Sequence, residues 1–255
     1  SLYVVDLTDP AAPRRAGSLT LPSEVGYFHP LADGQALVVG SRNDEVGEGQ
    51  DRQPRSWVVV QLLDVSDADT PRITGSWERP WSSDQLADDH HAFTYWPTRK
   101  LAMWGIQNTQ WNQYDQGPNH AVVLGVEGGV NEVAVPVANQ PAEAAPPCPT
   151  VAITDPEVAK MVGTDNIVLG CADRSTKAVS WPRYQCYRVD DDTAAMYAPG
   201  GGKDAAYFVC SPAPPPSVSR VLVVAGRPIL LTDQTLEALD PTTFASTSVA
   251  YHPQG

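Results

Sequence analysis

The chain has 255 residues, of which 42% are hydrophobic, which is enough for a full core and excludes a disordered chain. Its formal net charge of -13 repels phosphate backbones, so nucleic acid is excluded as an expected partner. The 24 prolines and 19 glycines are spread along the chain and argue against long helices. No apolar run approaches the roughly 18 to 20 residues of a membrane-spanning helix.

An internal repeat is the clearest signal in the first part of the chain. Asp6-Leu7-Thr8-Asp9 recurs as Asp64-Val65-Ser66-Asp67, an offset of 64 − 6 = 58 residues. Further matches follow at the same offset without a gap: Pro13 with Pro71, Arg14 with Arg72, Gly17 with Gly75, Ser18 with Ser76 and Pro22 with Pro80. Each copy has apolar residues, a turn rich in Asp, Ser, Thr and Pro, and a second short run, so it predicts a β-hairpin.

A second kind of hairpin lies between the two copies. Residues 27–30 and 36–40 are strand-like and flank an Asp-Gly turn, and the same order recurs at 91–95 and 101–105. Two hairpins alternate along the chain, so the repeat unit has four strands. The sequence therefore predicts an all-β fold.

Further strands are expected later in the chain. Residues 121–137 predict a third outer hairpin, and residues 220–251 predict up to four closing strands. Between them the periodicity gives way to Ala, Pro and Gly. The predicted organisation is repeat units over 1–138, an irregular insertion over 139–219, and closing strands over 220–255.

The four cysteines all lie in the predicted insertion: Cys148, Cys171, Cys186 and Cys210. They form no CxxC pair, which disfavours a zinc knuckle or a thioredoxin-like site. Two disulfides are the simpler interpretation, with four buried thiols as the alternative. Three connectivities are possible, and we favour sequential pairing, in which each bond would stabilise by roughly 3 kcal/mol. Disulfides place the protein in an oxidising compartment outside the cytoplasm.

Several phrases resemble the end of a secreted bacterial β-propeller family, whose members carry a carboxy-terminal propeller domain. These phrases are residues 3–14, 26–34, 62–67, 88–93 and 220–241. The resemblance implies a β-propeller of four-stranded antiparallel blades, with about three and a half blades in this chain and a disulfide-pinned irregular insertion. The family brings no established reaction. The cysteine-bearing stretch departs from its pattern, because a short link would be expected there.

Asp88-Asp89-His90-His91 is the densest group of potential metal ligands. In a strand, Asp89 and His91 would share one face, and a third ligand would have to come from elsewhere. His29 stands at the matching position of the preceding blade and could supply it. The alternative is structural: an Asp–His hydrogen bond at the start of the blade, with His29 a packing residue.

Two other groups have a functional and a structural interpretation. The acidic loop 43–51 offers oxygen ligands for calcium, but it lacks EF-hand spacing and could be a solvated hairpin tip. Trp57, Trp104, Trp111 and Tyr114 could form an aromatic platform, although packing between blades is the better explanation. No GxSxG, HExxH, GxGxxG or P-loop sequence is present.

Two functions remain open from sequence. The first is a noncatalytic extracytoplasmic binding or scaffold module, with a protein or cell-surface ligand. The second is a metal-binding protein or metal-dependent enzyme with a site at the channel mouth. Residues 2–5 align with the third strand of a blade, so we expect the amino-terminal remainder of the same precursor to complete the propeller.

Overall fold

A computed structural model describes residues 1–49, 52–109, 120–139, 168–175, 177, 184–190, 192, 205–212 and 216–251. The chain divides into two compact units. Unit 1 comprises Ser1–Asn139 and Pro216–His252, and unit 2 comprises Gln140–Pro215 and Pro253–Gly255.

β-Strands are the main secondary structure of the described residues, as their β-branched residues and turn residues predict. The strands are β1 (Leu2–Asp6), β2 (Arg14–Leu19), β3 (Glu24–Pro30), β4 (Gln35–Val46), β5 (Gln53–Asp64), β6 (Arg72–Pro80), β7 (Ser82–Asp84), β8 (Thr94–Trp96), β9 (Leu101–Asn108), β10 (His120–Gly125), β11 (Asn131–Ala134), β12 (Val168–Asp173), β13 (Tyr184–Arg188), β14 (Ala205–Pro212), β15 (Val218–Val224), β16 (Arg227–Thr232), β17 (Thr235–Leu239) and β18 (Ser246–Tyr251).

The described residues of unit 1 form four antiparallel sheets, which we call blades I to IV. In this part of the chain, blade I holds β1 and β2, blade II holds β3 to β6, and blade IV holds β15 to β18, each in sequence order. Blade III has the order β11-β10-β9, and β7 and β8 share the position next to β9. The prediction of four-stranded blades, about three and a half of them, is confirmed.

The core of unit 1 lies between consecutive blades. Blades II and III bury one apolar cluster, blades III and IV bury a second, and blades I and II bury a third, smaller one. Alternation along each strand explains this, because successive side chains point to opposite faces of the sheet. In β4, for example, Leu37 and Val39 face blade III while Ala36 and Val38 face blade I. Trp104, at the centre of the first cluster, is a packing residue.

The repeated Asp phrase forms the turn that closes each outer hairpin. Oδ1 of Asp6 accepts hydrogen bonds from the backbone N–H and the hydroxyl of Thr8, and Asp64 accepts the same pair from Ser66. These bonds lower the pKa of both carboxyl groups. Asp240 holds the corresponding turn in blade IV. The phrase recurs because a short carboxylate can bond to its own backbone two residues on.

The repeated glycines lie where the last strand of one blade meets the turn of the next. A Cβ atom on Gly17 would stand 2.5 Å from the carbonyl oxygen of Ala68, in the β5–β6 turn. A Cβ atom on Gly75 would stand 2.8 Å from Cα of Gly129, in the β10–β11 turn. Backbone atoms cannot move aside as a side chain can, so both positions require glycine.

The first strand of blade III differs from the prediction. Residues 91–95 were expected to form one strand, but His90–Ala92 form a 3-10 helix and only Thr94–Trp96 form β8. Asp89 caps this helix by accepting a hydrogen bond from the backbone N–H of His91 at 3.0 Å. This break could not be predicted, because the Asp-x-His spacing suits both a cap and a strand.

Unit 2 contains a three-stranded sheet of order β12-β14-β13. Cys186 and Cys210 lie opposite each other on β13 and β14 and form a disulfide, which confirms one bond of the expected sequential pairing. Cys148 lies outside the described residues, and so does the expected bond between Cys148 and Cys171. Within the described part of the chain, no helix has the length and hydrophobicity needed to cross a membrane.

We predict that Gly75→Ala destabilises unit 1 by about 1 to 3 kcal/mol, because the added methyl group overpacks a contact between two backbones. Chemical denaturation monitored by tryptophan fluorescence measures the change. Gly125→Ala is the matched control, since its Cβ atom would meet only ordinary contacts at 3.4 and 3.8 Å. Equal stability of the two variants would contradict the inferred contact.

Candidate functional site

The longest connections of unit 1 lie at one end of its strands. Strands alternate in direction, so β4 finishes at the same end as β9 and β11, which we call the upper end. The lower end holds short turns, such as the two residues between β15 and β16. The upper end holds the long connections: the β4–β5 hairpin, residues 109–119, and the exit and re-entry of the chain at Asn139 and Pro216.

The β4–β5 hairpin projects beyond its own blade. Its two strands pair from Gln35↔Asp64 to Val46↔Gln53. The neighbouring strands stop earlier, because β3 pairs only as far as Ser41 and β6 only as far as Trp57. Residues 42–46 and 53–56 therefore form a two-stranded ribbon at the upper end. Of the acidic loop expected at 43–51, residues 43–46 belong to β4 and residues 47–49 follow it without strand structure.

A network around Trp57 braces the base of this ribbon. The guanidinium carbons of Arg42 and Arg55 lie 4.6 and 4.7 Å from the centre of the indole ring, in cation–π contact. Arg55 donates two hydrogen bonds to Asp44, at 2.8 and 2.7 Å, and Arg42 pairs with Glu78 at 2.8 Å. The hydrogen bonds from Arg55 lower the pKa of Asp44 to about 2, so this carboxylate stays charged and keeps the bracing at neutral pH.

This bracing bears on the calcium hypothesis for the loop. Asp44 is engaged by two arginines, and Glu45 pairs with Arg52 at 3.3 Å. Carboxylates that already bind guanidinium groups would have to exchange these partners for a cation. Residues 50 and 51 lie outside the described part of the chain.

His29 packs among aromatic rings between blades II and III. Its ring lies 4.8 Å from that of Phe93 and 5.4 Å from that of Tyr95, and its Nδ1 atom is hydrogen-bonded to the Tyr27 hydroxyl at 3.3 Å. Burial lowers the pKa of His29, because the charged imidazolium loses hydration there. The neutral ring is therefore the form that suits this site.

Asp89 and His91 have different surroundings from His29. Beyond capping the 3-10 helix, Asp89 pairs with Arg220 of β15 at 3.5 Å and so connects blade III to blade IV. The exposed ring of His91 lies 4.1 Å from that of His90. Arg220 is a partner that the sequence analysis missed, because it lies 220 − 89 = 131 residues away in an unremarkable strand.

The metal hypothesis for His29, Asp89 and His91 stays a prediction. Among the described residues, no group of three or more His, Cys, Asp or Glu side chains is arranged to hold a metal ion. Titration of the protein with Zn²⁺, Mn²⁺ and Ca²⁺, repeated with His91→Ala, tests the hypothesis directly.

The fold of unit 1, with its four-stranded antiparallel blades, defines a propeller domain. The chain belongs to the β-propeller domain family, whose model, described as "Beta propeller domain", matches residues 1–181. Comparisons with curated proteins and with solved structures gave no match.

We predict that unit 1 loses stability as the pH falls below about 6.5, the pKa of an unfolded histidine. The lowered pKa of His29 means that the unfolded chain binds this proton first, so acidification favours unfolding. His29→Phe, which keeps an aromatic ring, should weaken the pH dependence of the unfolding midpoint between pH 7.5 and 5.5. Tyr27→Phe removes only the hydrogen bond and should keep that dependence, since burial causes the shift. An unchanged pH profile in His29→Phe would contradict the assignment.

Proposed function

We propose that this chain is a noncatalytic binding or scaffold module of an extracytoplasmic protein, and that its ligand binds at the upper end of unit 1. The observation that carries the proposal is the ribbon of β4 and β5, which projects from blade II and is braced by Trp57. A braced ribbon has less conformational entropy to lose when a ligand binds than a free loop has.

The placement of the long connections supports the upper end over the lower end. Binding residues in rigid scaffolds are carried disproportionately by long connections, because these can vary without disturbing the core. The lower end offers short turns whose Asp side chains are occupied by local hydrogen bonds. The ligand that we propose for this end is a protein or a cell-surface molecule.

The proposed location outside the cytoplasm rests on the Cys186–Cys210 bond, since disulfides persist in oxidising compartments. The same chemistry suits a secreted or cell-surface protein. We also propose that residues 139–219 are an insertion between blades III and IV, and that another part of the same precursor completes the propeller.

Removal of the ribbon tests the function. In the variant, residues 43–56 are replaced by Asn-Gly, a two-residue turn that can join the directly paired Arg42 and Trp57. Arrays of glycans and extracellular proteins supply the probe, and the strongest hit is then measured in solution. We expect the variant to keep the circular dichroism of the wild type and to bind this hit at least about tenfold more weakly, a loss of roughly 1.4 kcal/mol.

The matched control changes charge at the other end of the same unit. Lys100 and Glu127 form an exposed ion pair at the lower end, at 2.6 Å. The double change Lys100→Ala and Glu127→Ala should leave binding unchanged, since exposed pairs contribute little to stability. Undiminished binding by the ribbon-less variant would contradict the site, and chemical turnover of the bound molecule would contradict the noncatalytic role.

A further inference from the structure

We infer that the outer edge of β4 in the ribbon binds an extended peptide of a partner protein as one additional antiparallel strand. The inference rests on the proposed function and names the class of ligand for the same end of unit 1. The segment that receives the peptide is 42–46, where β4 continues beyond the last pairing of β3 at Ser41.

The backbone of β4 shows which groups face this outer edge. The C=O group of Gln35 accepts a hydrogen bond from the N–H of Leu31, and the N–H of Gln35 donates to Ala32, so Gln35 faces β3. Alternate residues of a strand face the same side, and β4 pairs with β5 over its whole length without a shift in register. The N–H and C=O groups of Asn43 and Glu45 therefore face the side on which β3 has already ended.

Pro54 supports this assignment and distinguishes the two edges of the ribbon. It lies opposite Glu45, and a proline is tolerated in a strand pair where its missing N–H faces away from the paired strand. Directly opposed residues of an antiparallel pair face the same way, both inward or both outward. The outer edge of β5 thus lacks a donor at Pro54, whereas the outer edge of β4 has donors at both Asn43 and Glu45.

The charged side chains next to this edge are drawn away from it. Arg42 pairs with Glu78 of β6 at 2.8 Å and lies over the ring of Trp57 in β5. Asp44 binds Arg55 of β5 at 2.7 Å. Charged side chains are one of the devices that protect strand edges from pairing. Because these two lean across the ribbon toward β5 and β6, they do not protect the outer edge of β4.

The outer edge of β4 offers an extended peptide a matching set of hydrogen bonds. Asn43 and Glu45, both exposed, each present one donor and one acceptor at alternate positions of the strand, which is the repeat of an extended polypeptide backbone. Main-chain bonds of this kind supply the affinity in β-strand addition. The network around Trp57 braces the ribbon, so little conformational entropy is lost when the strand is added.

Charge disfavours a second copy of this chain as the occupant. If Asn43 and Glu45 of one copy paired with Glu45 and Asn43 of the other, Asp44 of one copy would lie directly opposite Asp44 of the other. Like charges in that arrangement are destabilising, and each chain carries a net charge of -13. A neutral or basic peptide meets neither repulsion.

Hydrogen exchange of single amides tests the site. The probe is a peptide selected from a displayed library of random sequences on the whole chain, after removal of those that bind the ribbon-less variant. We expect the bound peptide to slow exchange at Asn43 and Glu45 by at least about tenfold, since opening must then break an added strand pairing. The amides of Asp44, which faces β5, and of Ser56, on the outer edge of β5, should not change.

Two proline variants provide a matched pair, because Asn43 and Ser56 lie directly opposite each other. Each variant removes one N–H that faces away from the paired strand, so both should keep the circular dichroism of the wild type. Asn43→Pro should bind the peptide at least about threefold more weakly, since one hydrogen bond is lost. Ser56→Pro should bind it as the wild type does. Equal binding by the two variants would contradict the inference.

Modified peptides keep the test decisive if a proline variant fails to fold. Methyl groups on the backbone nitrogens of alternate residues block one edge of the peptide strand, whereas the same number on consecutive residues blocks both edges. One of the two alternate patterns should bind within about threefold of the unmodified peptide, and the consecutive pattern should lose at least about tenfold. The inference is overturned if all patterns bind alike, or if the selection enriches no peptide.

Light scattering and the array experiment separate the remaining outcomes. A dimer whose Asn43 and Glu45 amides are protected without peptide assigns the edge to a second copy and overturns the inference. If the array hit requires the ribbon but no peptide adds to β4, the ligand class is wrong and the proposed site stands. If a peptide adds to β4 but the array hit binds without the ribbon, the proposed function fails and the peptide site stands.

Discussion

Blades II and III each have two apolar faces, and a neighbouring sheet covers each of these faces. This constraint explains where the core lies, because the clusters fall between consecutive blades and not within one. It also explains the glycines after the turn in the outer hairpins. Gly17 and Gly75 let the backbone of one blade touch the turn of the next, and without that approach the faces between them would stand apart.

Face-to-face packing leaves the two ends of the strands free, and the chain uses the ends differently. The lower end is committed to turns held by Asp6, Asp64 and Asp240 through local hydrogen bonds. The upper end accommodates connections of very different length. The upper end also holds a buried polar contact. The carboxylate of Glu237 accepts hydrogen bonds from the backbone N–H and from the side-chain amide of Asn139, where the chain leaves unit 1. A paired carboxylate can remain buried at that position because both of its oxygens have donors.

Most of the fold could be predicted from the sequence, because its strongest signals are local and repeated. The Asp phrase and the spacing of 58 residues predict the outer hairpins, and the alternation of apolar runs predicts the strands of blades II and III. The cap at Asp89 could not be separated from a strand, since three residues of 3-10 helix leave no periodic pattern. Contacts between residues far apart in sequence could not be predicted either. No pattern near Asp89 predicts its ion pair with Arg220, and none near Glu237 predicts its hydrogen bond with Asn139.

The candidate site was harder to predict than the fold, and the reason lies in charge pairing. From the sequence alone, the acidic loop after Arg42 suggests a cation site, because its carboxylates can be identified there whereas the arginines that pair with them cannot. In the structure Asp44 and Glu78 are matched by Arg42 and Arg55, which stack on Trp57. The base of the ribbon is thereby locally neutral in a protein of net charge -13. Net electrostatic attraction therefore cannot hold a charged ligand at this base. If the proposed ligand binds there, its recognition depends on the shape of the ribbon and on directional hydrogen bonds, and both require the ribbon to be held in place.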